Sequence, residues 1–312
     1  MESEKSIEWF FLLLRHLICL TRWVYTAFLR PPKDLRSRYG SWAIVTGCTD
    51  GIGRAFSFKL AQRGLNHILV RRSRDKLEQL SEELLATNEN LRVRILALDL
   101  DGDISGGVRE IGEMAKDLDV GVLINNFGGD LPECKILPRG GGGTVEESCA
   151  GKHRGDGQLH EGRSSGDVTA WKRCGAVINI GSGGAVVLPS IPLSAMYAST
   201  KAFVDQFSRS LHVEYRHHGI HVQCQIPLYI ATKMASMVIK IDKPSIFVPS
   251  PEDYAEKAIR QIGYEARRMP YWSHSVQWFF SRLVPESLLD FWILNRALKR
   301  RARSPPTFSG LN

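Results

Sequence analysis

The sequence predicts an α/β protein, a doubly wound parallel sheet with one apolar helix ahead of it. Three observations carry this. An apolar run, Trp42 to Val45, leads straight into a glycine-rich turn and then an amphipathic helical stretch. Further short apolar runs, "NHILV", Val93 to Leu98 and "VGVLINN", alternate with helical patterns, the rhythm of a parallel sheet covered on both faces. Ahead of all of them, the stretch from Trp9 to Leu29 is long and apolar enough to cross a bilayer.

Composition narrows the class. A chain of 312 residues with 43% hydrophobic and 24% charged residues can bury a substantial core, which excludes global disorder. The net charge of +8 suits anionic partners such as phosphates, coenzymes or lipid headgroups, or serves as a solubilising surface. No basic helix with interleaved aromatics is present, so no nucleic-acid partner is expected. The six cysteines, Cys19, Cys48, Cys134, Cys149, Cys174 and Cys224, form no C-x-x-C pair and no metal spacing with histidine. They read as reduced thiols facing the cytosol.

Residues 1–30 read as a hydrophobic membrane-anchor helix. Arg15 and Arg22 interrupt it two helical turns apart, on one face with Glu8. That pattern suits a helix lying in the membrane interface or a tilted span with snorkelling arginines. The competing reading is a helix packed on the protein's own core. Pro31 and Pro32 end it, and a short polar linker follows.

Residues 40–235 read as the nucleotide-binding domain. The turn after the first strand holds Gly47, Thr49, Asp50, Gly51, Ile52 and Gly53. Missing side chains let the backbone approach a pyrophosphate, and the following helix N-terminus offers unpaired N–H groups. The second strand ends in Arg71, Arg72 and Ser73, where an NAD site would place an acidic residue for the ribose. Cations there suit a 2′-phosphate, so NADP(H) is the expected cofactor. The third strand leads into Asp99, and the fourth into Asn125, Asn126, Phe127 and Gly128.

Beyond a break, "GAVINIGSGGA" predicts a strand ending in Ser182. Fifteen residues later "YASTK" opens a helix in which Tyr197 and Lys201, at i and i+4, share a face. Residues 236–312 form a C-terminal region next to the substrate and the membrane. It carries Trp272, Trp278, Phe279, Phe280, Phe291 and Trp292, then the basic run Lys299, Arg300, Arg301 and Arg303. Aromatic amphipathic segments followed by cations suit an anionic membrane surface, and a pocket lid with a solvated tail is compatible with that.

TGxxxGIG, NNxG, a strand-end serine and YxxxK together resemble the short-chain dehydrogenase/reductase family, from about Ser41 to Met234 with a gap at 130–174. "FLRPPKDL", "DVGVLINN", "YASTKAFVDQFSRSL", "VQCQIPLYIATKMAS" and "PYWSHS" are most similar to plant very-long-chain 3-oxoacyl-CoA reductases. Those are ketoreductases of the fatty-acid elongase in the endoplasmic reticulum membrane, related to type 12 17β-hydroxysteroid dehydrogenases. The resemblance implies a Rossmann-type sheet and hydride transfer from NADPH to C3 of a 3-oxoacyl-CoA. Tyr197 would give the proton, Lys201 would assist it electrostatically and hold the nicotinamide ribose, and Ser182 would hydrogen-bond the substrate carbonyl. Gly47, Gly51, Gly53, Asp99 and Asn126 match cofactor contacts. Pro227, Ile230 and Thr232 match the loop around the carboxamide and phosphates, with Leu228 where the family usually has glycine. The implied partners are the other elongase subunits, with the catalytic domain facing the cytosol.

Segment 130–174 departs from this pattern. It holds nine glycines and 14 charges in 45 residues, and no asparagine occurs from Phe127 to Ile178. Four adjacent glycines cost roughly 3–4 kcal/mol of helix propensity relative to alanine. No apolar helical stripe remains, so the segment replaces a core helix and one face of the fourth and fifth strands is expected to lose its cover. The sharp edges read best as two compensating shifts of reading frame. A flexible loop and gradual divergence are the other readings. On this view the chain is a reductase by descent, a catalytically impaired relic or NADPH-binding elongase partner, or a ketosteroid reductase.

Overall fold

A computed structural model describes residues 2–98, 104–126, 174–233, 235–236 and 243–303. Asp99 and residues 130–173 of the glycine-rich segment lie outside them. Seven parallel strands run in the order β3-β2-β1-β4-β5-β6-β7 among the described residues. The strands are β1 Trp42–Thr46, β2 Asn66–Arg71, β3 Val93–Ala97, β4 Val120–Asn125, β5 Gly175–Ile180, β6 Ile220–Gln225 and β7 Arg267–Arg268. The order reverses between β1 and β4, and a ligand crevice opens at the carboxyl ends of strands on either side of such a switch.

The helices, in chain order, are α1 Glu2–Val24, α2 Leu35–Arg38, α3 Gly51–Ala61, α4 Arg74–Thr87, α5 Ile104–Ala115, α6 Gly183–Val187, α7 Ala195–Tyr215, α8 Pro251–Arg260, α9 Trp272–Ser281 and α10 Glu286–Arg303. Alternating strand residues serve opposite faces of the sheet. On one face Ala43, Val45, Val122, Ile124, Ala176 and Ile178 pack against Phe56 and Leu60 of α3, Leu77 and Leu84 of α4, and Tyr254 and Ile259 of α8. On the other, Ile44, Ile68, Val70, Leu123 and Val177 pack against Ile111 and Ala115 of α5 and Leu211 of α7. Each fully buried aliphatic or aromatic side chain contributes about 1.5–3 kcal/mol. The start of α8 shows the local logic: Pro251 occupies its first turn, the Ser250 hydroxyl accepts the Asp253 N–H at 3.0 Å, acids open it, and Lys257 and Arg260 close it.

β4 and β5 are buried at every position. The expectation that one of their faces loses its cover is therefore corrected: α5 and α7 supply Ile111, Ala115, Leu211 and the flank of Phe207 to the cluster that holds Leu123 and Val177.

Residues 5–22 of α1 are exposed, so this helix is not packed on the core. Lys5–Leu29 is the one segment among the described residues long and apolar enough to cross a membrane, and nearly all of it is exposed. A π-helical turn, Tyr25–Leu29, joins it to the domain. There the chain is latched. Arg30 donates two hydrogen bonds of 2.7 Å to the Glu265 carboxylate, Gln261 donates to the Thr26 carbonyl at 2.9 Å, and the Tyr264 hydroxyl donates to the Pro31 carbonyl at 2.8 Å.

Candidate active site

The candidate cofactor cradle forms where β1 turns into α3. Gly47 has φ +60°, in the left-handed region that glycine tolerates. Gly53, in the first turn of α3, lies so close to that turn that a Cβ would sit 2.2 Å from the Gly47 carbonyl oxygen and 2.5 Å from Asn126 Nδ2. Asn126 closes the same corner: its amide donates to the Gly47 carbonyl at 3.2 Å and its N–H to the Thr46 hydroxyl at 3.1 Å. The Asp50 carboxylate caps α3 by accepting the Gly51 N–H at 2.8 Å, and Lys233 Nζ lies 3.9 Å from it. Thr232 reaches the turn from the loop after β6, since a Cβ on Gly51 would lie 3.1 Å from its methyl. Thr49 is half-buried in the turn and Ile52 packs on the core. Ile230 is buried, as is Pro227.

Arg71 ends β2, half-buried, and Arg72 beyond it is exposed. The Arg71 carbonyl accepts the Leu98 N–H at 3.0 Å, which leads the chain from β3 toward Asp99. Cys48 lies beneath the cradle; burial pushes its thiol up to about 12, against the pull of Arg71, so it stays a neutral packing group.

The second half of the site stands at the end of β5. The strand stops at Ile180, two residues short of the predicted end, and Ser182 becomes the N-cap of α6. Its hydroxyl oxygen accepts the Gly184 N–H at 3.2 Å, and the residue is 9% exposed. Helix α7 begins at Ala195 and carries Tyr197 and Lys201 on one face. Lys201 is buried and donates to the Ile180 carbonyl at 2.9 Å, whereas Tyr197 is 45% exposed. The carbonyl that holds Lys201 is thus two residues before Ser182, so strand, serine and lysine are fixed as one unit. The Gly183 N–H donates to the Pro227 carbonyl at 2.6 Å and brings the loop after β6 against that unit.

Two features were not singled out in the sequence. Asn125 donates to Asn179 at 2.8 Å, Asn179 to Ser208 at 2.8 Å, and Ser208 to the Val204 carbonyl at 2.6 Å, a buried polar chain tying β4, β5 and α7 together. Asparagines inside otherwise apolar strands were its signal. The other is His274, buried on α9, whose Nδ1 accepts the Leu228 N–H at 3.3 Å.

This combination of a glycine cradle with a strand-end serine and a tyrosine–lysine pair coincides with a match to the short chain dehydrogenase model over residues 41–137 and 168–241. The chain belongs to the short chain dehydrogenase family. The match passes over 138–167, inside the glycine-rich segment. The chain is 46% identical to a very-long-chain 3-oxoacyl-CoA reductase-like protein of Arabidopsis thaliana, over 96% of this chain and 94% of that one. It is also 37% identical to the inactive hydroxysteroid dehydrogenase-like protein 1 of Homo sapiens, covering 87% of this chain and 81% of that protein. A solved structure from work on 7beta-hydroxysteroid dehydrogenase stereoselectivity superposes with a TM-score of 0.61 at 20% identity, covering 84% of this chain and 99% of that one. A short-chain dehydrogenase from Sphingobium yanoikuyae in complex with NADPH gives 0.53 at 19% identity, covering 86% and 98%. These two likenesses concern the fold.

Proposed function

We propose that this chain is an NADPH-dependent reductase of very-long-chain 3-oxoacyl-CoA, yielding the 3-hydroxyacyl-CoA. The observation that carries the reading is the placement of Ser182, Tyr197 and Lys201 at the end of β5, beside a cradle that no side chain can enter at Gly53. The identity to the Arabidopsis reductase-like protein supports the substrate class.

The cradle fits a dinucleotide. Gly47, Thr49, Asp50, Gly51, Ile52 and Gly53 would line the pyrophosphate, with Asn126 beside it, and Asp99, outside the described residues, would be a further cofactor contact by the family pattern. Arg71 and Arg72 would hold the 2′-phosphate, and Pro227, Ile230 and Thr232 the nicotinamide end. When bound, NADPH supplies the hydride for C3 of the acyl chain. The Ser182 oxygen already accepts the Gly184 N–H, which leaves its own proton to donate to the substrate carbonyl. Tyr197 gives a proton to the developing alkoxide, and its exposure gives access to a bulky thioester. Lys201 keeps a cation one helical turn from Tyr197 and would also hold the nicotinamide ribose.

Residues 1–30 then anchor the domain, 40–235 bind cofactor, and 236–312 face the substrate and the membrane. The anchor is an endoplasmic reticulum membrane helix with the catalytic domain on the cytosolic side, where the other elongase subunits would meet it. Exposed Phe279, Phe280, Phe291 and Trp292 on α9 and α10 add an apolar surface suited to the same membrane.

The interval unmatched by the family model, 138–167, favours a second reading, a chain that binds NADPH without turnover. One experiment separates them. Detergent-solubilised protein is given NADPH or NADH with a long-chain 3-oxoacyl-CoA, and coenzyme oxidation is followed. Turnover with preference for NADPH supports the reductase. NADPH binding without turnover of this thioester or of a ketosteroid supports the second reading.

A further inference from the structure

The loop after β6 is held from two sides. On the sheet side the Gly183 N–H donates to the Pro227 carbonyl at 2.6 Å. A Cβ on Gly183 would meet the Leu228 side chain at 2.2 Å, so Leu228 lies directly on the residue that follows Ser182. On the far side the Leu228 N–H points at His274 Nδ1, 3.3 Å away. His274 is fully buried, with its ring 5.3 Å from that of Tyr271 and 6.3 Å from that of Tyr254. Neither neighbour offers a carboxylate, and burial lowers the imidazole to about 4, so the ring is neutral at neutral pH, and the Leu228 N–H facing Nδ1 selects the tautomer with its proton on Nε2.

We propose that His274 is a positioning residue for the cofactor: through Nδ1 it fixes the Pro227–Leu228 turn against Gly183 and so sets the nicotinamide side of the cradle. The proposal rests on reading 227–232 as the cofactor loop. It also connects the loop to the anchor, because α9 opens with Trp272, whose ring lies 6.3 Å from Phe28 in the π-helical turn.

The test is NADPH affinity of the full-length, detergent-solubilised protein, measured by coenzyme fluorescence for wild type, His274→Leu, His274→Asn and His274→Gln, with thermal midpoints alongside. An asparagine carbonyl can take the place of Nδ1; a glutamine carbonyl lies nearer the Nε2 end, and leucine has no acceptor. His274→Leu should weaken NADPH about 3- to 10-fold, the range of one hydrogen bond of ordinary net strength. His274→Asn should recover it to within about twofold, and His274→Gln should stay weak whether or not His274→Leu folds. Affinity that follows the thermal midpoint and not the acceptor, with asparagine as weak as glutamine, overturns the proposal. So does wild-type affinity in every variant. A wild-type protein that binds no NADPH sinks the functional reading instead, and the positioning role with it.

Discussion

The proposed cofactor cradle and the proposed catalytic row share the carboxyl edge of one sheet but are built by different means. The cradle is backbone against backbone: Gly47, Gly53 and Asn126 meet at distances that leave no room for a methyl group. The catalytic row consists of side chains hung on separate elements, with Ser182 capping α6, Lys201 tied to the end of β5, and Tyr197 exposed at the start of α7. In the first, shape is the function, so any added atom disturbs fold and binding together. In the second, a reacting atom can be removed while the fold stays.

The largest effect should therefore come without any loss of stability. Tyr197→Phe removes one oxygen from a residue 45% exposed. It should lower kcat by about 10²- to 10⁴-fold, the range of a lost general acid. NADPH affinity and thermal midpoint should stay close to wild type. A fall in the midpoint would show that the row is part of the packing and would break the contrast.

Gly53→Ala tests the other half. Its Cβ would meet the Gly47 carbonyl at 2.2 Å, and backbone cannot swing aside as a flexible side chain can. Overpacking of this kind costs about 1–3 kcal/mol. The thermal midpoint should drop and NADPH binding should weaken together. Gly112→Ala is the matched control, because a Cβ there meets nothing within 4 Å in α5. It should hold or raise stability, by up to about 1 kcal/mol from helix propensity. Equal effects at the two glycines would show that crowding is not what the cradle's glycines avoid.

The same contrast governs what the sequence revealed. Glycine spacing after an apolar strand is a local signal, so Gly47, Gly51 and Gly53 were legible, as were Tyr197 and Lys201 at one helical turn. Burial was not. Nothing in "GAVINIGS" says that the strand stops at Ile180 and that Ser182 caps a helix; that depends on the loop carrying Pro227. The cover over β4 and β5 was misjudged for a related reason: α5 and α7 lie outside the interval where the missing apolar stripe was sought. His274 was quoted only as part of a resemblance, since its partner, the Leu228 N–H, is 46 residues away. Long-range backbone partners leave no periodic trace.

The last effect concerns acid, which acts through two buried histidines, one near the start of β2 and one beside the loop after β6. His67 lies near the start of β2, opposite Ala43 of β1 and away from the strand ends that carry the cradle; it is fully buried, and burial lowers its imidazole to about 4. His274, beside the loop after β6, is lowered to about 4 by the same cause. The ordinary value for both is 6.5, so between pH 6.5 and 4 the unfolded chain binds protons that the folded chain refuses. Stability is then fully present above the unfolded value and is lost as pH falls through this window. Each histidine should remove about 2 kcal/mol between pH 7 and pH 5, a range that stops above the usual carboxylate values near 4. Thermal midpoints of the solubilised protein across that range measure the slope. Replacing His67 by leucine should remove its own share of that loss, about 2 kcal/mol, whatever the variant does to stability at pH 7, because leucine binds no proton in either state. An unchanged slope would mean that His67 takes up its proton while folded, and that water reaches the start of β2.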